Sequence, residues 1–331
     1  MIPRAAVSVV IPVFNRPAAV RRAVDTVLAQ TRQDFEVVVV DDASTDDTPA
    51  ALAALSDPRI TVVRHSERRG GAVARNTGVR ASSAPFVAFL DSDDEWLPAK
   101  LEKQLDVFAR APEDLGLVYC GVERVYADGS SDISIPTQRD DLARALLTQN
   151  VVGETTLGMV RRSALDAIGG FDESLPASQD MDLWLRLSER FAVASVPEVL
   201  ARVAKGDDRG RITSSIAATT RGRELFRRKH HEKMMRHGVL HLHLRESGWW
   251  YQRGARNLRE ARRCYLEAVA ARPLSPGNYL LVLGTLVPQS WLDVLSRSKQ
   301  RLTAVARARD VRREVHVPAG YSPTTSKAGR S

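Results

Sequence analysis

Strand-like and helix-like segments alternate through the first hundred residues, and this alternation restricts the fold more than any other feature of the chain. Four apolar runs have the length of buried strands: 7–14, 35–40, 60–63 and 85–90. Between the first two, Val20, Val24 and Val27 recur at the spacing of one helix face. Strands that alternate with helices predict an α/β fold in which a mostly parallel sheet is flanked by helices.

Polar residues follow three of these strands. Asn15 comes after the first, Asp41 and Asp42 follow the second, and Asp91–Asp94 follow the fourth. Because the carboxyl ends of parallel strands meet at the edge of the sheet where ligands bind, we expect these side chains to converge. Three carboxylates at one strand end repel each other unless a cation neutralises them, which indicates a divalent metal carrying a phosphorylated ligand. The alternative is a solvated turn that caps the next helix.

Four segments resemble the motifs of the family 2 glycosyltransferases, which have the GT-A fold: Val9–Asn15, Val39–Asp46, Ala74–Gly78 and Phe89–Asp94. Three more are similar to the family's acceptor-side region: Met159–Leu165, Ile168–Glu173 and Gln179–Leu187. The resemblance covers roughly residues 5–200. It implies an inverting, metal-dependent transfer of a sugar from a nucleoside-diphosphate sugar to a hydroxyl of a saccharide or lipid-linked acceptor, as in polysaccharide biosynthesis. A uridine-linked donor is the first expectation.

The resemblance places the nucleobase at the ends of the first two strands. Asp42 would accept a hydrogen bond from the base or the ribose, with Asp41 beside it, although an Asx turn or a helix cap is the alternative for this pair. Main-chain groups of Pro12 and Val13, together with Asn15, would line the opposite wall of the base pocket. Asn15 could equally be a local turn residue.

The run Asp91-Ser92-Asp93 resembles the family's Asp-X-Asp signature and implies a site for Mg²⁺ or Mn²⁺. Asp93 would contact the ion, Asp91 would reach the ribose or a metal-bound water, and Ser92 would line the donor site. Asp94 would support the site or cap the next helix. Hard oxygen ligands suit these ions and not zinc. Arg75 would point toward the same phosphates, with a solvated position on its helix as the alternative.

On the acceptor side the resemblance implies that Asp180 is the catalytic base, which deprotonates the acceptor hydroxyl in a single displacement. The family's Glu-Asp pair is Gln179-Asp180 here, so one carboxylate is missing. The alternative for Asp180 is the N-cap of a helix over 181–189, a role that Ser178 could share. Trp184 lies one helical turn later and would either floor the acceptor site or pack in the core.

One element of the family pattern is absent. Family members carry a histidine after the strand that corresponds to Val193–Val196, whereas this chain has none in Leu200–Arg209. Arg202 or Lys205 would supply the positive charge instead, or a flexible loop there would become ordered when the donor binds. This absence and Gln179 keep a non-catalytic nucleotide-sugar-binding module open as an alternative. A sugar-phosphate nucleotidyltransferase is a second one, although its basic phosphate-binding signature is missing near the N-terminus.

The length of the chain allows a second region beyond the one that the resemblance covers. With 331 residues, 44% of them hydrophobic, it can form a large core with an appendage. We expect a catalytic domain at 1–204, with a nucleotide-binding half at about 5–100 and an acceptor half at about 101–204, a helical region at 205–317 and a disordered tail at 318–331.

The net charge of +8 is a weak signal of nucleic-acid binding without a recognition fold for it, so no nucleic acid is expected as a partner. Contact of the basic helices with a membrane surface and self-association through them both stay open.

Cysteine content and hydropathy indicate a cytoplasmic protein, at most peripheral at the inner face of the membrane. Cys120 and Cys264 provide no disulfide framework, and no leader precedes the first strand. The longest apolar stretch, Tyr279–Val287, is about half of the ~20 residues that span a bilayer. The histidines between 230 and 243 are expected on solvated helix faces, since no zinc-ligand spacing accompanies them.

Overall fold

The computed structural model describes residues 5–137, 141–205 and 216–286. Within them the strands are β1 (Val7–Val13), β2 (Phe35–Asp41), β3 (Ile60–Arg64), β4 (Phe86–Phe89), β5 (Glu95–Trp96), β6 (Leu115–Tyr126), β7 (Ser131–Ser134), β8 (Gly158–Arg161) and β9 (Ala192–Lys205). The helices are α1 (Pro17–Leu28), α2 (Thr48–Ala53), α3 (Gly71–Arg80), α4 (Lys100–Arg110), α5 (Leu142–Leu146), α6 (Arg162–Ala167), α7 (Gln179–Ser188), α8 (Ile216–Lys229), α9 (His231–Arg236), α10 (Leu240–Arg253), α11 (Leu258–Ala271) and α12 (Pro276–Gly284). The predicted alternation of the first hundred residues is confirmed.

All of these strands belong to one sheet. Its order is β3-β2-β1-β4-β8-β6-β9-β5, and β7 pairs with β6 beside this path. The first four strands pair in parallel, as the alternation predicts. Farther along, β8 is antiparallel to both β4 and β6, while β6 and β9 are parallel. The fully parallel part is therefore confined to β1–β4, and the rest of the sheet is mixed.

Two apolar cores cover the two faces of the sheet. Val9 and Ile11 of β1 pack in the core that contains α1 and α4, whereas Val10 packs in the core that contains α3 and α7. All three residues are fully buried, as expected of a strand that is covered on both faces. With both faces covered by helices, ligands can approach these strands at their carboxyl ends.

The C-terminal helices pack on the second of these cores. Phe226 of α8 and Met234 of α9 are buried in the same apolar cluster as Leu183 of α7. Helices α10 to α12 form a smaller cluster of their own around Tyr251 and Tyr265. No helix in the described ranges combines the length and the apolar composition needed to cross a bilayer. The tail predicted at 318–331 lies outside the described residues.

A buried ionic network fastens α7 to the end of α8. Asp182 Oδ1 lies 2.8 Å from both His230 Nε2 and Lys229 Nζ, and its Oδ2 accepts a hydrogen bond from Arg186 Nε at 2.7 Å. Burial raises the pKa of Asp182, but the hydrogen bond from His230 and the charges of Arg186 and Lys229 outweigh burial and hold the pKa below its ordinary value. The network connects the C-terminal helices to the helix that begins with Gln179 and Asp180.

The expectation that the histidines of this region lie on solvated faces was wrong for three of them. His230, His241 and His243 are buried. Phe226 lies beside two of the rings, with centroid distances of 4.7 Å to His230 and 5.8 Å to His243. His243 Nδ1 is 3.0 Å from the carbonyl oxygen of Leu147. The sequence pattern did not show this, because the face that these histidines occupy is covered by distant parts of the chain.

The contact between α8 and the segment before α7 provides a test of this packing. A Cβ at Gly222 would lie 2.6 Å from the carbonyl oxygen of Ala177, a backbone atom that cannot move freely. We expect Gly222→Ala to lower the free energy of unfolding by about 1–3 kcal/mol, the usual effect of overpacking. Urea denaturation measures the change, with Gly284→Ala as control because a Cβ at Gly284 meets nothing within 4 Å. Equal stability of both variants would contradict the packing of α8 on Ala177.

Candidate active site

The carboxyl ends of β1, β2 and β4 open into a cleft of about 210 Å³, which α7 and the end of β9 close on the other side. Many of its lining residues were singled out from the sequence: Pro12, Val13, Asp42, Arg75, Asp91, Ser92, Asp93, Asp94, Gln179, Asp180 and Lys205. Others were not: Phe14, Arg16, Arg68, Glu154 and Thr155. The structure thus brings the acidic segment after β4 and the proposed base of α7 to one cavity.

Arg75 connects the two sides of the cleft. Its Nη2 donates to Asp91 Oδ1 at 2.5 Å, and its Nη1 donates to Gln179 Oε1 at 3.2 Å. Thr155 Oγ1 donates to the same Asp91 oxygen at 3.2 Å. The Arg75 side chain is buried, which rules out a solvated position on the helix surface, and its Nε has no hydrogen-bond partner among the described residues. A buried guanidinium with an unused donor is suited to binding a phosphate.

The two carboxylates that follow Ser92 have different surroundings. Asp93 Oδ1 pairs with Arg16 Nη1 at 2.9 Å. Asp94 is buried, and its Oδ2 accepts a hydrogen bond from Thr156 Oγ1 at 2.5 Å. Burial, with the charges of Asp91 and Asp93, raises the pKa of Asp94 well above its ordinary value. Burial and the neighbouring charges therefore favour the protonated form of the Asp94 carboxyl.

Asp180 lies on the opposite side of the cleft, where its carboxylate is held by an amide side chain and a backbone N–H. Its Oδ2 accepts from Asn150 Nδ2 at 2.9 Å, and its Oδ1 accepts from the N–H of Met181 at 2.8 Å. Burial raises the pKa of Asp180 to about 6, and the charges of Glu154 and Asp91 also raise it. A carboxylate with a pKa close to neutrality can both accept and release a proton, which is the property required of a general base.

The N-cap interpretation of Asp180 was wrong. Helix α7 already begins at Gln179, so Asp180 is its second residue and Ser178 is the residue at the N-cap position. Ser178 makes no side-chain capping bond and has a positive φ of 61°. The chain therefore enters α7 through a left-handed residue, and the Asp180 carboxylate is left for the cleft.

Glu154 brings another carboxylate to the side of the cleft where Gln179 replaces the family's glutamate. Its Oε1 and Oε2 accept from Arg124 at 3.1 and 3.2 Å, and Lys205 Nζ donates to Oε1 at 2.8 Å. Burial raises the pKa of Glu154, but the charges of and hydrogen bonds from Lys205 and Arg124 lower it to about 2. No motif in the sequence marked Glu154, because its partners come from β6 and β9.

Asp42 lines the cleft but already holds the loop that leads into α3. Its Oδ1 lies 2.8 Å from His65 Nδ1 and accepts from the N–H of Arg69 at 2.9 Å, and its Oδ2 accepts from the N–H of Gly70 at 2.8 Å. Each carboxylate oxygen can accept two hydrogen bonds, so Oδ2 keeps capacity for one more. The geometry is compatible with contact to a nucleobase, and the sequence did not indicate the structural role.

Asp41 and Asn15 hold neighbouring loops and are not among the residues that line the cleft. Asp41 Oδ1 accepts from the N–H of Ser44 at 2.9 Å, and its Oδ2 lies 3.3 Å from Arg64 Nε. Asn15 has a φ of 53°, and its Oδ1 accepts from the N–H of Thr45 at 2.8 Å. The Asp41 contact is a local turn bond, as the sequence left open for it, whereas Asn15 has the backbone of a turn residue but bonds to a different loop.

One of the two interpretations of Trp184 was wrong, and the loop expected after Leu200 is strand as far as the structure describes it. Trp184 is 0% exposed and donates through Nε1 to the carbonyl oxygen of Gly153 at 3.0 Å, so it packs in the core and cannot floor the acceptor site. The segment after Leu200 is not a loop, because β9 continues to Lys205. Residues three apart on a strand face opposite sides, so Lys205 reaches the cleft while Arg202 pairs with Glu123 outside it. Residues 206–209 lie outside the described residues.

The chemistry of the cleft fits a divalent cation only with help from a ligand. Asp91 and Asp93 offer hard carboxylate oxygens. No group of three or more His, Cys, Asp or Glu side chains suited to hold a metal comes together in the part of the chain that the structure describes. Mg²⁺ is commonly bound by one or two carboxylates together with substrate phosphates, and this donor set matches that mode.

Comparison with curated proteins identifies the sequence family. Residues 8–169 match the model described as glycosyl transferase family 2. The chain is 33% identical to a putative teichuronic acid biosynthesis glycosyltransferase, TuaG, of Bacillus subtilis. This match extends over 199 residues, which are 59% of this chain and 77% of TuaG. It is 38% identical to the Escherichia coli UDP-Glc:alpha-D-GlcNAc-diphosphoundecaprenol beta-1,3-glucosyltransferase WfgD. This match extends over 104 residues, which are 31% of this chain and 41% of WfgD. An uncharacterized glycosyltransferase of Rickettsia felis is 30% identical over 187 residues, 55% of this chain and 31% of that protein.

The match spans between 28% and 63% of the length of six of the relatives. Solved structures agree with the fold. Staphylococcus aureus TarS 1–349 in complex with UDP-GlcNAc superposes with a TM-score of 0.61 at 18% identity, over 83% of each chain. The mannosyltransferase PcManGT of Pyrobaculum calidifontis, in complex with GDP-Man and Mn²⁺, superposes with a TM-score of 0.56 at 23% identity, over 86% of this chain and 80% of that one. The predicted GT-A-type fold with C-terminal helices is confirmed, and since TuaG matches over most of its length at this identity, the chain belongs to glycosyltransferase family 2.

Proposed function

We propose that this protein transfers a sugar from a nucleoside-diphosphate sugar to a hydroxyl of a saccharide or lipid-linked acceptor, with inversion in a single displacement. The observation that carries the proposal is the cleft in which Arg75, Asp91 and Asp93 lie on one side and Asp180 on the other. The first group suits a diphosphate and its counter-cation. The second suits the removal of a proton from an attacking hydroxyl.

The donor would lie along the ends of β1, β2 and β4. Pro12 and Val13 line the base end of the cleft with Asp42, and the guanidinium of Arg68 stacks 4.1 Å from the ring centroid of Phe14 beside them. An aromatic ring and a planar cation form a flat surface on which a base can stack. The names of WfgD and of the TarS complex specify UDP-linked sugars and support a uridine-linked donor, whereas the PcManGT complex holds GDP-Man.

Asp93 and Asp91 would hold Mg²⁺ or Mn²⁺ together with the diphosphate. When bound, such an ion stabilises the negative charge that develops on the departing diphosphate. The Mn²⁺ in the PcManGT complex supports this assignment. Arg75 would contribute positive charge to the same phosphates from the wall of the cleft, and its hydrogen bond to Gln179 would keep the donor side in register with α7.

Asp180 would accept the proton of the acceptor hydroxyl as that oxygen attacks the sugar carbon opposite the leaving diphosphate. Asn150 and the N–H of Met181 hold the carboxylate in one orientation, which favours productive geometry over free rotation. The name of WfgD specifies a diphosphoundecaprenol-linked acceptor, which supports a lipid-linked acceptor as the first candidate. The protein would act within a pathway that builds a surface polysaccharide, as the name of TuaG specifies for that protein.

The pH dependence of transfer tests the assigned base. Asp180 must be ionised to accept a proton, and its pKa is about 6. We therefore expect kcat/KM to be constant above pH 7 and to fall about tenfold per pH unit below pH 6, because one protonation removes the base. Initial rates between pH 4.5 and 8.5, in parallel with circular dichroism to exclude unfolding, provide the profile. A flat profile through pH 5 would contradict the assignment.

The overall proposal is tested by binding and transfer on the same protein. Calorimetry with UDP, GDP, ADP and CDP, each with and without Mn²⁺, should give cation-dependent binding of one nucleotide. Radiolabelled sugar from that donor class should then move to a lipid-linked saccharide, and added pyrophosphate should not release it as sugar 1-phosphate. Binding without transfer to any acceptor would favour the non-catalytic alternative, and release of pyrophosphate from a nucleoside triphosphate would favour a nucleotidyltransferase.

A further inference from the structure

Arg16 contacts the carboxylate that the proposed function assigns to the divalent cation. Its Nη1 lies 2.9 Å from Asp93 Oδ1, and the two side chains are 13% and 19% exposed, so water screens the pair weakly. Asp91 has a comparable partner in Arg75. Each of these two carboxylates therefore has a cationic partner supplied by the protein.

The backbone of Arg16 is held in place while its guanidinium lies in the cleft. The residue sits between the end of β1 and the first residue of α1, Pro17, and its N–H donates to Thr48 Oγ1 at 2.8 Å. This anchor fixes the root of the side chain on the β1 side, and the guanidinium reaches the acidic segment after β4. Rotation of the side chain can therefore move the charge without moving the backbone.

A divalent cation and the guanidinium cannot share Asp93 without cost. Two cations at one carboxylate oxygen repel each other, and the repulsion is strong where solvent is scarce. An ion that binds Asp93 through Oδ1 must therefore displace Arg16. A displaced guanidinium remains in a cleft where a diphosphate would bind, and arginine forms paired hydrogen bonds with phosphate oxygens.

We propose that Arg16 is a built-in counter-cation of Asp93 that competes with the divalent cation and binds the nucleoside diphosphate once it is displaced. The inference rests on the proposed function. Its consequence is coupling: the cation alone binds weakly, because it must break the Arg16–Asp93 pair. The cation and the nucleotide together bind tightly, because the diphosphate gives Arg16 a new partner.

The test measures the affinity for Mn²⁺ directly, by electron paramagnetic resonance of the free ion, in the presence and absence of saturating UDP, with GDP as a second probe. We expect Arg16→Gln to bind Mn²⁺ alone about tenfold more tightly than the unmodified protein, while the gain in Mn²⁺ affinity on adding UDP falls by about the same factor. Arg22→Gln is the matched control. It also removes one positive charge, but Arg22 lies on α1 with a side chain that is 58% exposed, and its Nε is 3.8 Å from Glu95 Oε1.

The outcomes separate this inference from the proposed function. If the unmodified protein binds UDP with Mn²⁺ and Arg16→Gln shows neither tighter Mn²⁺ binding nor weaker coupling, the counter-cation role is wrong and the proposed function stands. If the unmodified protein binds none of UDP, GDP, ADP and CDP with Mn²⁺, the proposed function is wrong, and the inference fails with it. Should Arg16→Gln not fold, Arg16→Lys keeps the charge but loses the paired hydrogen bonds, so coupling to UDP should fall while Mn²⁺ alone binds nearly as before.

Discussion

Asp180→Asn is expected to lower kcat for sugar transfer by about 10²- to 10⁴-fold, the usual contribution of a general base, and to leave Mn²⁺-dependent binding of the donor nucleotide unchanged. The asparagine keeps the size of the side chain, and its one amide oxygen can keep the hydrogen bond from the N–H of Met181, but its NH2 group cannot accept the bond from Asn150 Nδ2. It cannot take up a proton. Single-turnover transfer and calorimetric nucleotide binding on the same preparation separate the two effects.

The same substitution is expected to stabilise the fold at neutral pH. The pKa of Asp180 is raised from 3.8 to about 6, so the folded state binds this proton more tightly than the unfolded state. The stability that protonation contributes is complete below pH 3.8 and is lost as the pH rises through 6. At pH 7.5 the desolvated charge therefore opposes folding, and its removal should raise the free energy of unfolding by about 1–2 kcal/mol once the lost hydrogen bond with Asn150, worth about 1 kcal/mol, is subtracted.

Urea denaturation at pH 7.5 and pH 4.0 measures this difference. The gain from Asp180→Asn should be present at pH 7.5 and small at pH 4.0. Asp106→Asn is the matched control, because Asp106 is 54% exposed on α4 and pairs with Arg110 at the surface. A loss of stability in Asp180→Asn at pH 7.5 would indicate that the carboxylate is mainly structural, and undiminished transfer would remove Asp180 from the mechanism.

Asp93→Asn is expected to abolish Mn²⁺-dependent binding of the nucleotide and to lower kcat/KM by at least about 10³-fold, since a metal ion contributes several kcal/mol of charge stabilisation. The amide keeps an oxygen for Arg16 but has lost the charge that would hold the ion. Mn²⁺ binding by electron paramagnetic resonance and initial transfer rates both report the change.

Asp94→Asn provides the contrast within the same segment. Burial and the neighbouring carboxylates already raise the pKa of Asp94 well above its ordinary value, so an amide resembles the protonated side chain. We expect the loss in kcat/KM to be less than about fivefold, which is small on the scale of one direct catalytic contact. Equal losses in Asp93→Asn and Asp94→Asn would mean that the two carboxylates act as a unit, contrary to the assignment.

Much of the donor side could be read from the sequence because it depends on local patterns. Apolar runs of strand length and helical spacing of valines determine where β1, β2 and α1 form. The strands then carry Asp42, Asp91 and Asp93 to one edge, whatever the details of packing. Arg75 and Asp180 also reached the cleft from the positions that the family resemblance implied.

The acceptor side was harder to predict because it depends on contacts between distant segments. Trp184 follows Asp180 by one helical turn, yet α7 turns it into the core, against Gly158 of β8. Lys205 and Arg202 are equivalent in charge, and only the length of β9 decides that Lys205 faces the cleft. Glu154 has no motif, and its ionised state results from Arg124 and Lys205 on two other strands.

The sequence by itself determined the order of strands and helices, the sheet edge at which polar residues gather, and the family. Those features follow from hydrophobic periodicity and from residues that are close along the chain. The tertiary structure decided the surroundings of each carboxylate. It separated Asp94, buried beside Thr156, from Asp93, paired with Arg16, although the two are adjacent in sequence. The physical reason is that desolvation and ion pairing depend on atoms within a few ångströms in space, whatever their distance along the chain.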